Sequence, residues 1–73
     1  MHRDEEIMRK VARALASIRE AHGLTQEEVY TDTGIHIAKI ETGTVNITIS
    51  TLHRICSYYK ITEVDVYLNI VNG

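Results

Sequence analysis

Residues 23–29 are Gly-Leu-Thr-Gln-Glu-Glu-Val, and they combine the signals for the end of one helix and the start of the next. Gly23 stands where a helix ends in a left-handed residue, and Leu24 can fold back onto the preceding turn. Thr25 and Glu28 have the spacing of a capping box, in which each side chain accepts a hydrogen bond from the other residue's amide. The segment therefore predicts a tight junction between two helices.

Apolar residues at helical spacing mark the chain on both sides of this junction. The stripe of helix 1 consists of Ile7, Val11, Ala14, Leu15 and Ile18. Thr48 is placed to cap a fourth helix, whose apolar positions are Leu52, Ile55, Cys56 and Tyr59. Thr62 is placed to cap a short fifth helix that includes Val66.

The middle of the chain is ambiguous. Several apolar residues between positions 35 and 49 alternate as in a strand, whereas Ile37, Ile40 and Glu41 suit a helix that ends at Gly43. We favour the helix, because its stop signal is clear.

The predicted fold is therefore all-α, a compact five-helix bundle. Helix 2 is expected to be short, because residues 31–34 are turn-like and Val29 is its clearest apolar anchor. We predict helix 3 over residues 34–41 and an extended loop over residues 44–47.

A chain of 73 residues has room for one domain, residues 1–73, with a modest hydrophobic core. Cys56 has no partner for an intramolecular disulfide, and no run of Cys and His has the spacing of metal ligands. We expect no metal, no cofactor, no small-molecule ligand and a cytoplasmic location. No apolar stretch approaches the ~18 residues of a membrane span, and the charged N-terminus does not resemble a signal peptide.

The net charge of −2 argues at first against a nucleic-acid partner, but the charges are unevenly distributed. Residues 7–19 contain four basic residues and no acid, and between residues 34 and 61 only Glu41 opposes three basic residues. One face can therefore be positive although the molecule is acidic. On charge alone, a merely solvated surface explains the pattern equally well.

The motifs in their order resemble one family. Residues 18–29 contain Ile-Arg and then Gly-Leu-Thr-Gln-Glu-Glu-Val, residues 37–43 contain Ile-x-x-Ile-Glu-x-Gly, and residues 51–62 contain Thr-Leu-x-x-Ile-Cys and Ile-Thr. This pattern, over about residues 7–68, resembles the helix-turn-helix regulators related to phage repressors and the xenobiotic-response-element group. The resemblance implies a lambda-repressor-like domain that binds double-stranded DNA.

The chain departs from the family pattern in one place. Between Gln26 and Glu41 it is about three residues shorter than usual, and Tyr30 stands where the family usually has a small residue. Either Thr33 caps the recognition helix and Gly34 lies in its exposed first turn, or Gly34 is the turn glycine and the recognition helix has lost a turn. We favour the first placement, because it leaves an uninterrupted helix with a capping residue.

The resemblance also implies roles for individual residues. Those expected to face the bases are Thr33, Gly34, Ile35, His36 and Lys39. Those expected to meet the DNA backbone are Gln26, Thr42, Thr44 and Asn46. Lys39 can donate to guanine and Ile35 can contact a thymine methyl, whereas Gly34 has no side chain, so DNA shape should contribute to specificity.

The resemblance further pairs Arg19 on helix 1 with Glu41 at the end of the recognition helix. Such an ion pair would hold the recognition helix against helix 1. If it is partly buried, loss of one partner is expected to cost ~3 kcal/mol.

Two classes of function fit these residues. The first is a transcriptional regulator, expected to be a repressor, that binds a short palindromic operator as a homodimer. The second is a non-catalytic protein-interaction module on the same fold, such as an antirepressor or antitoxin component, with reduced DNA reading. No Gly-rich phosphate loop and no paired acid and base point to an enzyme.

The C-terminal residues 66–73 form a candidate dimerisation tail. Their segment is too apolar to remain exposed in a lone domain of this size, and the expected interface residues are Tyr67, Leu68, Ile70 and Val71. In the alternative, these residues fold back and complete the monomer's own core.

Overall fold

The computed structural model describes residues 3–73, with side chains from residue 4 onward, and within that range it contains five helices and no strand. Residues 1 and 2 of the predicted domain lie outside the described range. The helices are α1 (Arg3–Ala21), α2 (Gln26–Thr33), α3 (Ile37–Ile40), α4 (Ile49–Tyr59) and α5 (Glu63–Asn72). The all-α, five-helix prediction is confirmed. Within the described residues, no helix is long and apolar enough to cross a membrane.

The junction between α1 and α2 has the geometry that its sequence predicts. Gly23 has a φ of 71°, and the Leu24 amide donates to the Arg19 carbonyl at 3.2 Å. Thr25 Oγ1 accepts from the Glu28 amide at 3.0 Å, and Glu28 Oε1 accepts from the Thr25 amide at 2.8 Å. Because these bonds satisfy backbone groups at both helix ends, the chain passes directly from one helix to the next.

The placement of helix 3 over residues 34–41, with Thr33 as its cap, is wrong. Helix α2 continues to Thr33, and Gly34 ends it in the left-handed conformation with a φ of 75°. The Thr33 hydroxyl donates to the Val29 carbonyl at 2.7 Å instead of capping a new helix. Helix α3 begins only at Ile37, so Gly34 is the turn glycine and the recognition helix has lost a turn.

Burial of Ile35 explains this difference. Its side chain is 6% exposed and packs in the core, so the turn that contains it lies against the molecule. Helix α4 also holds the end of α2, because the Tyr58 hydroxyl donates to Asp32 at 2.5 Å and Arg54 Nη2 donates to the Thr33 carbonyl at 2.9 Å. These contacts join residues far apart in sequence, so no local pattern shows them.

Threonines cap α4 and α5 as predicted. Thr48 Oγ1 accepts from the Thr51 amide at 3.0 Å. Thr62 and Asp65 form a second capping box. Residues 44–47, between α3 and α4, form no helix.

Side chains from all five helices form one hydrophobic core. Its fully buried members are Leu15, Val29, Ile37, Ile55, Cys56 and Tyr59. Helix α5 packs against α1 and contributes Val66. Since a helix of four residues is not stable alone, α3 owes its position to this packing.

Tyr59 on α4 provides a test of the core. Its side chain is fully buried, and within the described residues its hydroxyl is the one buried side-chain polar atom without a hydrogen-bond partner. We expect Tyr59→Phe to raise the free energy of unfolding at neutral pH by about 1 kcal/mol, because an unsatisfied buried hydroxyl is removed. Urea denaturation measures this difference.

The same substitution should change the response to alkali. Burial raises the pKa of Tyr59 from 10.0 to about 12, so the folded state holds the phenol proton more tightly than the unfolded chain does. Stability from this proton is complete below pH 10 and is lost as the pH rises towards 12. We therefore expect a shallower loss of stability in Tyr59→Phe over this range, with the exposed Tyr67→Phe as control. Equal slopes in Tyr59→Phe and wild type would contradict the expectation.

Candidate nucleic-acid interface

Arg19 and Glu41 meet at the end of α3, as the resemblance pairs them. Arg19 Nε donates to Glu41 Oε2 at 2.8 Å and Arg19 Nη2 donates to Glu41 Oε1 at 3.1 Å, so the contact is bidentate. Arg19 Nη1 also donates to the Leu24 carbonyl at 2.7 Å, and Gln26 Nε2 donates to Glu41 Oε1 at 2.7 Å. One carboxylate thus joins α1, the start of α2 and the end of α3.

This ion pair is shielded from water. The side chains of Arg19 and Glu41 are 11% and 5% exposed. The hydrogen bond to Glu41 raises the pKa of Arg19 above its ordinary value, although burial acts in the opposite direction. Glu41 is the one acid among residues 34–61, so its pairing leaves that segment without an exposed negative charge.

Helix α3 presents a short polar face to solvent. Ile37 is buried and Ile40 is partly buried, and these two residues fix the orientation of the helix. The exposed residues along it are His36, Ala38, Lys39 and Thr42. Ala38 was not predicted as a site residue. The available signal was its position between the apolar residues Ile37 and Ile40, which indicates that Ala38 faces away from the core.

Two of the residues expected to face the bases do not lie on this face. Ile35 is buried, so the expected contact of its side chain with a thymine methyl is not possible in this conformation. Thr33 is the last residue of α2, and its hydroxyl bonds the Val29 carbonyl and the Ile35 amide. Gly34 is exposed in the turn. Of the five residues expected to face the bases, only His36 and Lys39 therefore present exposed side chains along α3.

Three of the four residues expected to meet the DNA backbone form an exposed edge after α3, and the fourth, Gln26, is the first residue of α2. Thr42 Oγ1 donates to the Lys39 carbonyl at 2.6 Å and lies 2.8 Å from Thr44 Oγ1. Asn46 is exposed further along the same loop. Hydroxyl and amide side chains of this kind bind phosphate oxygens in protein–DNA complexes.

Basic side chains flank α3 on two sides. Arg9 and Arg13 of α1 border a surface concavity beside Thr42 and Gly43. Gly43 lies so close to α1 that an added Cβ would be 3.1 Å from Arg9 Cγ. On the other side lies a groove of about 380 Å³ whose polar lining includes His36, Lys39, Asn46, Thr48 and Arg54.

Tyr30 adds an aromatic surface beside the start of α3. The ring centroids of Tyr30 and His36 are 4.5 Å apart, with an interplanar angle of 33°, and Tyr30 is 47% exposed. Sequence reasoning did not place Tyr30 in the site. The available signal was a large residue at a position where the family usually has a small one.

Helices α2 and α3 are joined by the turn at Gly34 and pack on α1 and α4. This arrangement defines the protein as a helix-turn-helix domain. A family model described as Helix-turn-helix matches residues 15–66. The chain belongs to this family, that of the phage-repressor-like, xenobiotic-response-element regulators, and its general class is the DNA-binding transcription regulators. Searches of curated proteins and of solved structures give no significant match.

The buried ion pair can be tested by substitution. We expect Glu41→Gln to lower the free energy of unfolding by about 3 kcal/mol, because the mostly buried Arg19 guanidinium would keep only the solvent-exposed Glu20, 3.8 Å from its Nη2, as a counter-ion. Replacing both residues by apolar ones, as Arg19→Met with Glu41→Leu, should cost less than the sum of the two single changes.

The control is the exposed pair of Lys10 and Glu6, whose charged atoms are 3.7 Å apart. Lys10→Ala should cost less than about 0.5 kcal/mol. Chemical denaturation measures all variants, and similar costs for Glu41→Gln and Lys10→Ala would show that the buried pair contributes no more than a surface pair.

Proposed function

We propose that the protein is a non-catalytic transcriptional repressor of the cytoplasm that binds a short palindromic operator as a homodimer, with α3 in the major groove. The observation that supports this most is the pairing of Glu41 with Arg19. It removes the one acid of residues 34–61 from the surface, so the charged groups of that segment around α3 are Lys39 and Arg54. The local charge therefore suits DNA despite the net charge of −2.

Base contact is assigned to His36 and Lys39. Both side chains are exposed along α3, and a lysine can donate to the acceptor atoms of guanine in the major groove. A one-turn helix offers few such contacts, so the proposal includes a contribution from DNA shape.

Backbone contact is assigned to Gln26, Thr42, Thr44 and Asn46. Gln26 donates one amide hydrogen to Glu41, and its second amide hydrogen is left for a phosphate oxygen. The bond to Glu41 also fixes the orientation of the Gln26 amide. The threonines and Asn46, which follow Glu41 in the chain, would hold the backbone at the same end of α3 as Gln26.

A panel of duplexes tests this division. We expect Lys39→Ala to change the order of preference among duplexes enriched from a random library by the wild type, because a base contact is lost. Asn46→Ala should weaken binding to all of them by a similar factor, because a phosphate contact is lost. Titrations at several salt concentrations should show affinity falling with salt. A uniform loss in both variants would refute the assignment.

The length of α3 favours a second candidate function. With four residues, this helix is short for a base-reading element, which suits a protein-interaction module with reduced DNA reading. A folded wild-type chain that binds no duplex at low salt would support this candidate and reject the first.

Helix α5 supports the homodimer. Tyr67, Leu68 and Val71 are exposed, and together with Val64 they follow the spacing i, i+3, i+4, i+7 of one helix face. Ile70, expected in the same interface, instead packs partly buried against the monomer's own core. We therefore assign the interface to the exposed stripe, and Ile70 to the core.

Leu68→Glu is expected to convert the dimer to a folded monomer, because it places a charge in the centre of the apolar stripe. Sedimentation at micromolar concentration measures the mass, and circular dichroism checks the fold. Ser50→Glu, at an exposed position in the first turn of α4, is the charge-matched control and should remain dimeric. A monomeric wild type would exclude the dimer.

A further inference from the structure

We infer that Tyr30 contacts the DNA and supplies, through its ring, an apolar contact with a thymine methyl. The inference rests on the proposed function and adds to it a residue that determines base preference. The missing turn of the recognition helix and the burial of Ile35 leave α3 without an exposed large apolar side chain.

The position of Tyr30 on α2 places it on the side of the molecule that meets DNA. Tyr30 follows Gln26 by four residues, so both side chains lie on one face of α2. Gln26 bonds Glu41 at the end of α3, and Tyr30 stacks on His36 at its start. This face of α2 therefore runs beside α3 along its whole length.

The turn between α2 and α3 brings the two rings together. Gly34 adopts a φ of 75°, and its amide donates to the Tyr30 carbonyl at 2.8 Å. The chain then reverses, so that His36 lies with its ring centroid 4.5 Å from that of Tyr30. Stacking restrains a tyrosine that is already limited to two side-chain torsions, and such a residue offers a large contact area at low entropic cost.

Two of the three acids on α2, Glu28 and Asp32, have hydrogen-bond partners, and the third, Glu27, is exposed in the first turn. The Glu28 carboxylate accepts from the Thr25 amide in the capping box at 2.8 Å. The Asp32 carboxylate accepts from the Tyr58 hydroxyl at 2.5 Å. These two carboxylates therefore have partners away from the ring, and the contact proposed for Tyr30 rests on the half-exposed ring itself and not on the charge of α2.

A thymine methyl is the group in the major groove that an apolar side chain recognises. The test uses the best duplex enriched by the wild type and replaces each thymine in turn by deoxyuridine, which removes only the methyl group. At one position we expect the wild type to lose affinity about four-fold, the change that corresponds to one methyl-sized group leaving an apolar contact.

Three variants complete the test. Tyr30→Phe keeps the ring and should keep the sensitivity to deoxyuridine. Tyr30→Ala should bind the thymine duplex and the deoxyuridine duplex equally. The salt dependence of its binding should be unchanged, since no phosphate contact is lost. Thr31→Ala, an exposed neighbour on the same helix, is the control and should behave as the wild type. Circular dichroism confirms that each variant is folded.

The outcomes separate this contact from the function on which it rests. If the wild type binds the duplex and Tyr30→Ala shows the same deoxyuridine effect as the wild type, the contact is overturned and the proposed function stands. Loss of the effect in Tyr30→Phe as well would show that the hydroxyl, not the ring, is responsible, and would also overturn it. A wild type that binds no duplex would reject both.

Discussion

The buried contact between Arg19 and Glu41 determines where α3 can lie. A helix of four residues makes too few backbone hydrogen bonds to persist alone, so it needs anchors at both ends. Ile37 supplies an apolar anchor and Glu41 an ionic one. Removing two charges from water is costly, but the cost is offset because the contact is bidentate and both partners make further bonds, to the Leu24 carbonyl and to Gln26.

The same contact determines the distribution of charge. Most acids of this chain stand in the first turns of α1, α2 and α5, where carboxylates interact favourably with the positive end of the helix dipole. Three acids lie elsewhere: Glu20 and Glu41, which both pair with Arg19, and Asp32, which accepts from the Tyr58 hydroxyl. A net charge of −2 is therefore compatible with exposed basic side chains at Lys39 and Arg54. Net charge alone is a poor guide to the partner of so small a domain.

The ends of most helices were predictable because their signals are local. Gly23, Thr25, Thr48 and Thr62 act within a few residues of their own position, and each was placed correctly. Thr33 and Gly34 were not, because a threonine followed by glycine can begin one helix or end another. The choice is made by burial of Ile35 and by the bond from Arg54 to the Thr33 carbonyl, which are long-range contacts. The stack of Tyr30 on His36 depends on that turn, so it too was invisible in the sequence.

A shortened recognition helix changes how a domain of this kind would achieve specificity. One turn of α3 exposes His36, Ala38 and Lys39, and so few side chains distinguish few base pairs. Under the proposed function, affinity would then depend mainly on phosphate contacts, which are the same for every sequence. A homodimer joined through α5 would make the second contact intramolecular and would multiply the small preference of each domain. The spacing of two half-sites would then add information that α3 itself lacks, because a rigid dimer fits only one separation. Dimerisation would therefore matter more for specificity here than in a relative with a full recognition helix.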